Sequence, residues 1–521
     1  MKRIVSLFLM LALVLTVTSA MAGCNSSSPS SDLPDSSVAN NDSSSGEESS
    51  SEESKTTSTG EVSDIVFAYD VLSAGSIADM DKVQEEINKI TEPELGVNVT
   101  ITPIQSSSYE QQITLMTTSG EPLDVIMSFG GTLSTYVNDE KILPLNDLLE
   151  SQGQGIKELL GDYLRATTFN GEVYAIPTIR DLCRGAGLMY DVGLANEVGL
   201  DMSTVDELED FTEIFQKIQE VKGDDFPCLV IGSSGSSFLQ DYILVDQLND
   251  FNGVLMNFGL DNTDVTFYEE TQEYSDLVHL FADWYKAGYI QQDITTTQES
   301  KYTMLQQDLG FCYFTNCKPG IAETATRSVG RPMDYVQLAD YFATTAQVAS
   351  FNYSISQNCL EPEKAMAFLN ALYTDERIAT LLGCGIEGIH YEVQDNGQIA
   401  FPEGVTEENT TYFPNVTWAV GNQFATPTWS NDPEDLWERQ AAANDSAKKS
   451  LALGFAFDNT NVSSEITAIN NVRNEYRLQV ETGACDVDTV LPEYIQALRD
   501  AGMDTVIAEK QEQLDAWLEQ Q

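Results

Sequence analysis

Two histidines, His279 and His390, stand among 82 acidic side chains in a chain of 521 residues, so general-base chemistry has few groups to draw on. A Ser or Cys nucleophile needs a base beside it, most often His. No G-x-S-x-G elbow precedes a predicted helix, and His390, next to Tyr391, reads as a structural hydrogen-bonding residue. Gly232-Ser233-Ser234-Gly235-Ser236 lacks the lysine of a phosphate loop and reads as a polar loop. Beyond Cys24, seven cysteines (183, 228, 312, 317, 359, 384 and 485) show no C-x-x-C spacing. With so few histidines they predict buried thiols and no metal site, and only Cys312 and Cys317 are close enough in sequence to bridge a turn. Two carboxylates at ~5–9.5 Å suffice for glycoside hydrolysis, which leaves a surface glycoside-active enzyme as the rival reading. No catalytic residue and no cofactor are assigned.

The remaining chemistry is recognition. Trp418, Phe424 and Trp429 surround Gly421-Asn422-Gln423, a mixture that offers ring stacking and amide hydrogen bonds together; Asn422, Gln423 and Trp429 are therefore candidates for ligand contact. The elements that position such groups begin near Asp64. Residues 65–69 form an apolar strand, and Met80, Val83, Ile87 and Ile90 recur at helical spacing before Pro93 and Gly96. Residues 97–101 alternate as a second strand, 109–118 read as a helix and 123–127 as a third strand. In β-α-β-α-β sheets ligands bind beyond the carboxyl ends of the strands, which nominates Tyr69 and Asp70 after the first strand and Ser128 and Gly130 after the third. The rhythm repeats with helices at 205–221 and 274–287 and strands at 228–231 and 310–314. Helices at 462–481, 492–501 and 505–519 close the chain.

The formal net charge of −56 repels phosphate backbones and anionic lipid, so nucleic-acid binding is not expected. Residues 1–23 have the form of a secretory signal: Lys2 and Arg3, then an apolar run over 4–17 that is shorter than the ~20 residues of a spanning helix. Residues 24–61 are dominated by Ser, Thr, Asn, Asp, Glu and Gly and read as a disordered tether with a reach of roughly 30 Å.

Met21-Ala22-Gly23-Cys24 resembles the lipobox of bacterial lipoproteins, with methionine in place of the usual leucine. This implies acylation of Cys24 and a lipid anchor on the outer face of a Gram-positive cell membrane. Gly171-Glu172-Val173-Tyr174-Ala175-Ile176-Pro177, a strand ending Tyr190-Asp191, Thr204-Val205-Asp206-Glu207-Leu208, Pro362-Glu363-Lys364-Ala365, Gly385-Ile386-Glu387-Gly388-Ile389-His390-Tyr391, Gly454-Phe455-Ala456-Phe457-Asp458 and Leu514-Asp515-Ala516-Trp517 follow in an order that resembles the solute-binding lipoproteins of ABC importers. The resemblance is to the maltose-binding-like class, and to a subgroup with an uncharacterised C-terminal domain. It implies an α/β, two-lobed periplasmic-binding-protein-like (type II) fold with hinge crossovers and a helical C-terminal region. Lobe one is expected at 62–178 plus 337–400, and lobe two at 179–336 plus 401–521. The implied function is delivery of a small polar solute, an oligosaccharide, to importer permeases by hinge closure. A peptide is the alternative ligand, and an adhesin or sensor-linked lipoprotein the alternative role. Arg180, with Asp181 and Arg184, follows the first crossover, where it contacts ligand or braces the lobes. Glu387 and Tyr391 flank the third crossover. A tethered monomer is expected.

Overall fold

The computed structural model describes residues 62–73, 75–232, 237–242 and 244–521; the secretory signal, Cys24, the tether and the polar loop at 233–236 lie outside the described residues. Two mixed sheets organise the chain. The first has the order Val97–Gln105, Ser63–Val71, Val125–Phe129, Phe351–Ile355, Ile176–Pro177. Its first three strands are parallel and Phe351–Ile355 runs against them. Parallel neighbours need a crossover, and helix Met80–Leu95 supplies it by burying Met80, Val83, Ile87 and Thr91 along one stripe. Gly96 ends that helix in the left-handed region (φ 64°), its N–H donating to Glu92 O, and so turns the chain straight into Val97. Val125, Ile126, Met127 and Ser128 are all buried, the continuous pattern of a strand covered on both faces.

The second sheet has the order Cys312–Cys317, Arg184–Asp191, Met333–Ala343, Lys448–Lys449. A Cβ at Gly187 would lie 1.9 Å from Val336 O, so the strands approach here only because 187 is glycine. Cys312 and Cys317 correct the expectation of a bridged turn: they stand at opposite ends of one strand, ~16 Å apart at the usual rise, and both thiols are free.

The cores also move the expected lobe boundaries. Met333–Ala343 pairs with Arg184–Asp191, so the chain crosses back at 344, not at 337. Tyr412, Val416, Ala419 and Val420 pack into the core of the first sheet beside Phe67, Tyr353 and Phe368. Tyr412 donates to Leu382 O (2.7 Å), and Tyr353 donates to Ala419 O (2.6 Å). Residues 412–420 therefore belong with lobe one, although all of 401–521 was expected in lobe two. The second core gathers Leu188, Phe215 and Trp284 with Ile469, Tyr494, Leu498 and Val506 of the C-terminal helices Ser463–Glu481, Val487–Asp500 and Met503–Leu518. No helix among the described residues is long and apolar enough to cross a membrane.

A buried polar network fastens these helices to lobe two. Arg473 donates to Glu269 (3.1 and 2.8 Å), to Asn252 Oδ1 (2.7 Å) and to Phe251 O (2.7 Å). Glu481 accepts from Tyr274 Oη (3.2 Å), and burial pushes its carboxyl up from the usual 4.5 to about 7. The folded-state value exceeds the unfolded one, so the stabilisation it allows is complete below about pH 4.5 and is gone once pH has risen through 7. We predict that denaturant unfolding of the native chain loses roughly 3 kcal/mol between pH 4.5 and about pH 8 from this group, and that Glu481→Gln removes that part of the loss. An identical pH dependence in both chains would contradict the assignment.

Candidate functional site

The carboxyl ends of Ser63–Val71 and Val125–Phe129, the start of Phe351–Ile355 and the exit from Ile176–Pro177 converge where the chain passes between sheets. A run of rings lies there. Tyr109 meets Phe129 edge to face (6.3 Å between centroids), Phe129 meets Phe351 (5.7 Å) and Phe351 meets Trp418 (4.5 Å). Tyr109 is buried and fixed: its hydroxyl donates to Ala68 O (3.1 Å) and accepts from Met127 N (2.8 Å). Phe129, Phe351 and Trp418 are half-buried, so part of each ring remains available. Beside Phe129 opens a crevice of about 230 Å³. Gly130, Phe169, Thr345 and Ser350 line it, as do Asn249 and Ala456 from distant parts of the chain. A Cβ at Gly130 would lie 3.0 Å from Ala349 O, so glycine lets the two segments close on each other.

Charge is concentrated at the hinge end. Arg180, only 7% exposed, sits 5.4 Å above the Phe351 ring and donates to Asp181 O (2.9 Å), Asp181 Oδ1 (3.1 Å), Gln347 O (3.1 Å) and Ser350 Oγ. Lys318 donates to the other Asp181 oxygen at 2.6 Å. Burial alone would raise the Asp181 carboxyl, but Lys318 and Arg180 hold it below the usual carboxylate range. Asn444 donates to Arg180 O (2.6 Å) and accepts from Leu182 N (2.8 Å), tying the first crossover to helix Leu436–Ser446. Arg180 and Asp181 pair with each other, and Lys318 joins the pair. Arg184 donates to Asn316 Oδ1 (3.4 Å) from the lobe-two side.

Among the sequence-predicted residues, Gly130 lines the crevice and Arg180 donates to Ser350, which also lines it; the others are held elsewhere. Tyr69, Asp70 and Ser128, nominated for ligand contact, are buried here. The Tyr69 ring packs edge-on to Phe67 (5.9 Å), Asp70 accepts from Ser106 Oγ, and Ser128 Oγ pairs with Ser354 Oγ (3.0 Å). Asn422 donates to Tyr373 O (3.0 Å) and Gln423 to Thr417 Oγ1 (3.0 Å), while their backbone receives the first crossover: Ile179 N donates to Gly421 O (2.7 Å) and Gln423 N to Ile179 O (2.9 Å). Both residues position Arg180 without facing the crevice. Tyr391 and Asn422 line a separate groove of about 770 Å³ built from lobe-one residues, and burial pushes the Tyr391 hydroxyl up to about 12. Glu387 is exposed on the turn before Tyr391. Trp429 packs on Phe401 (4.8 Å) and Phe413 (5.2 Å).

Sequence reasoning missed Phe129, Phe351, Lys318, Gln347, Ser350 and Asn249. Only Phe129, flanked by Ser128 and Gly130 at a strand end, carried a local signal. Neither histidine serves the crevice. His390 Nδ1 accepts from Ile386 N (2.9 Å), with Nε2 3.3 Å from Asp79, and His279 Nε2 lies 3.3 Å from Asp488. The arrangement can stack an apolar face and hydrogen-bond polar groups around it; it places no nucleophile beside a base.

The model of the bacterial extracellular solute-binding protein family matches residues 74–377, and that of a domain of unknown function matches residues 451–519. The chain is similar to a carbohydrate ABC transporter substrate-binding protein of Streptococcus pneumoniae serotype 4, with 25% identity over 84% of this chain and 88% of that one. It is also similar to lipoprotein LipO of Bacillus subtilis, with 23% identity over 65% of this chain and 70% of that one. The crystal structure of the N-glycan transport solute binding protein NgtS of Streptococcus pneumoniae superposes with a TM-score of 0.73 at 24% identity, covering 88% of this chain and 99% of that one. The same protein in complex with Man5GlcNAc superposes at 0.60.

Because Arg180 is shut away from water, removing its partner strands a charge. Asp181→Ala is expected to lower unfolding stability by roughly 3 kcal/mol, and Arg180→Met combined with Asp181→Leu by less than the sum of the single changes. Additive costs in chemical denaturation would show that the pair is not coupled.

Proposed function

The chain belongs to the family of bacterial extracellular solute-binding proteins, and from that membership we propose that it captures an oligosaccharide at the cell surface and delivers it to an ABC importer by hinge closure. The observation that carries this reading is the half-buried run Phe129–Phe351–Trp418, whose Phe129 end lines an interlobe crevice together with Ser350, the partner of Arg180. A sugar ring offers a C–H face to aromatic rings and hydroxyls to planar polar groups, and both needs are met here. The carbohydrate-binding relative and the glycan complexes of NgtS support the same ligand class.

Lobe one comprises residues 62–178 with 344–446, and lobe two comprises 184–343 with 450–521. Solute enters between them, touches both and stabilises the closed state through its differential affinity for it. Acylated Cys24 and the 24–61 tether hold the head at the membrane as a monomer, in keeping with the similarity to a lipoprotein. The protein binds its ligand without transforming it.

The test is a thermal-shift and calorimetric screen of the full chain against Man5GlcNAc, other oligosaccharides and short peptides. A saccharide at a hundredfold excess over its Kd is expected to stabilise the chain by ~2.7 kcal/mol. Trp418→Ala is expected to weaken that binding about tenfold, ~1.4 kcal/mol. A peptide hit would replace the ligand class, released sugar products would make the chain a hydrolase, and silence across the saccharides would contradict the reading.

A further inference from the structure

Loop 247–253 reaches the crevice from lobe two, and most of what fixes it comes from the C-terminal residues matched to a domain of unknown function. Its tip, Asn249, is exposed and lines the crevice that Phe129, Gly130 and Ser134 also line. Leu248 (φ 47°) and Asn249 (φ 76°) both adopt the left-handed backbone that side chains seldom enter, so the surrounding structure has to impose it. Leu248 is buried in a small core with Ala452, Phe455 and Leu514. Its N–H donates to Asp246 Oδ1 (3.0 Å).

Two cations complete the hold. Lys510, 0% exposed, donates to Asp250 Oδ1 (2.6 Å) and Gly253 O (3.1 Å), and Arg473 donates to Phe251 O and Asn252 Oδ1 (2.7 Å each). Each comes from a different C-terminal helix, and together they fasten the residues that follow Asn249. Buried ion pairs add little stability over well-packed apolar side chains. Packing alone therefore gives no reason to aim both cations at one loop, whereas fixing the direction of its exposed tip does.

We infer that the C-terminal domain is the scaffold of Asn249, which reads hydroxyl groups of the bound oligosaccharide in the crevice that Phe129 also lines; this rests on the saccharide reading above. A carboxamide offers both donors and an acceptor without charge, as neighbouring sugar hydroxyls require. The Phe129 ring faces the same space.

The test compares the full-length chain with Asn249→Gly, which keeps the left-handed backbone accessible and deletes only the amide, and with Lys510→Met, which deletes the ammonium. Each is titrated with Man5GlcNAc by calorimetry, and hydrogen exchange is followed over residues 247–253. Asn249→Gly is expected to raise Kd about tenfold with the exchange of the loop unchanged. Lys510→Met is expected to speed exchange of the loop and raise Kd similarly, and the double variant to bind no worse than either single one. If Lys510→Met does not fold, Asp250→Asn tests the same hold while keeping the side-chain volume, and the same loss is expected. Binding by wild type with Kd within twofold in Asn249→Gly overturns the role of Asn249. A loosened loop with unchanged Kd overturns the scaffold role. Absence of saccharide binding by wild type overturns the ligand class itself, and this inference with it.

Discussion

Arg180 leaves the first sheet just past Pro177 and is almost wholly removed from water, so its guanidinium must be satisfied at the junction of the two lobes. A stranded buried charge costs several kcal/mol, far more than a surface contact contributes. The chain answers with Asp181 on the first crossover and Gln347 and Ser350 on the second, while Asn444 holds the Arg180 carbonyl. Lys318 reaches the same carboxylate from lobe two. Phe351 lies beneath the guanidinium, and Phe129 and Trp418 pack on Phe351. The aromatic floor of the site is thus registered against the hinge by one paired charge.

Much of this frame was legible in the sequence. The first sheet and its crossover helix follow from Ile65, Phe67, Met80, Val83 and Ile87, whose spacing has one solution in each case. The order of family segments along the chain placed Arg180 at a crossover, and a strand-to-helix turn placed Gly130 at a sheet end. Ser128 shows where the reading ended. Successive side chains of a strand point to opposite faces, so at this strand end Ser128 turns into the core while its neighbour Phe129 reaches the crevice. Choosing the polar residue selected the wrong face.

Other parts lacked a local signal. Residues 401–430 carry no helical or strand period, yet Tyr412, Val416 and Val420 complete the core of lobe one. Lys318, Ser350 and Asn249 acquire their roles from partners more than a hundred residues away, and single-sequence periodicity has no access to such pairs. The C-terminal helices were readable as packing elements. Their cations were not readable as supports of a distant loop, because Arg473 and Lys510 look like ordinary solvated residues until the network around Asn252 and Asp250 is assembled.

The central claim is that a saccharide draws two lobes together about the Arg180 hinge. Small-angle X-ray scattering of the chain with and without saturating Man5GlcNAc tests it most directly. The account predicts a smaller radius of gyration on binding and no change with a sugar that does not bind. Scattering that stays the same while calorimetry confirms occupancy would contradict it.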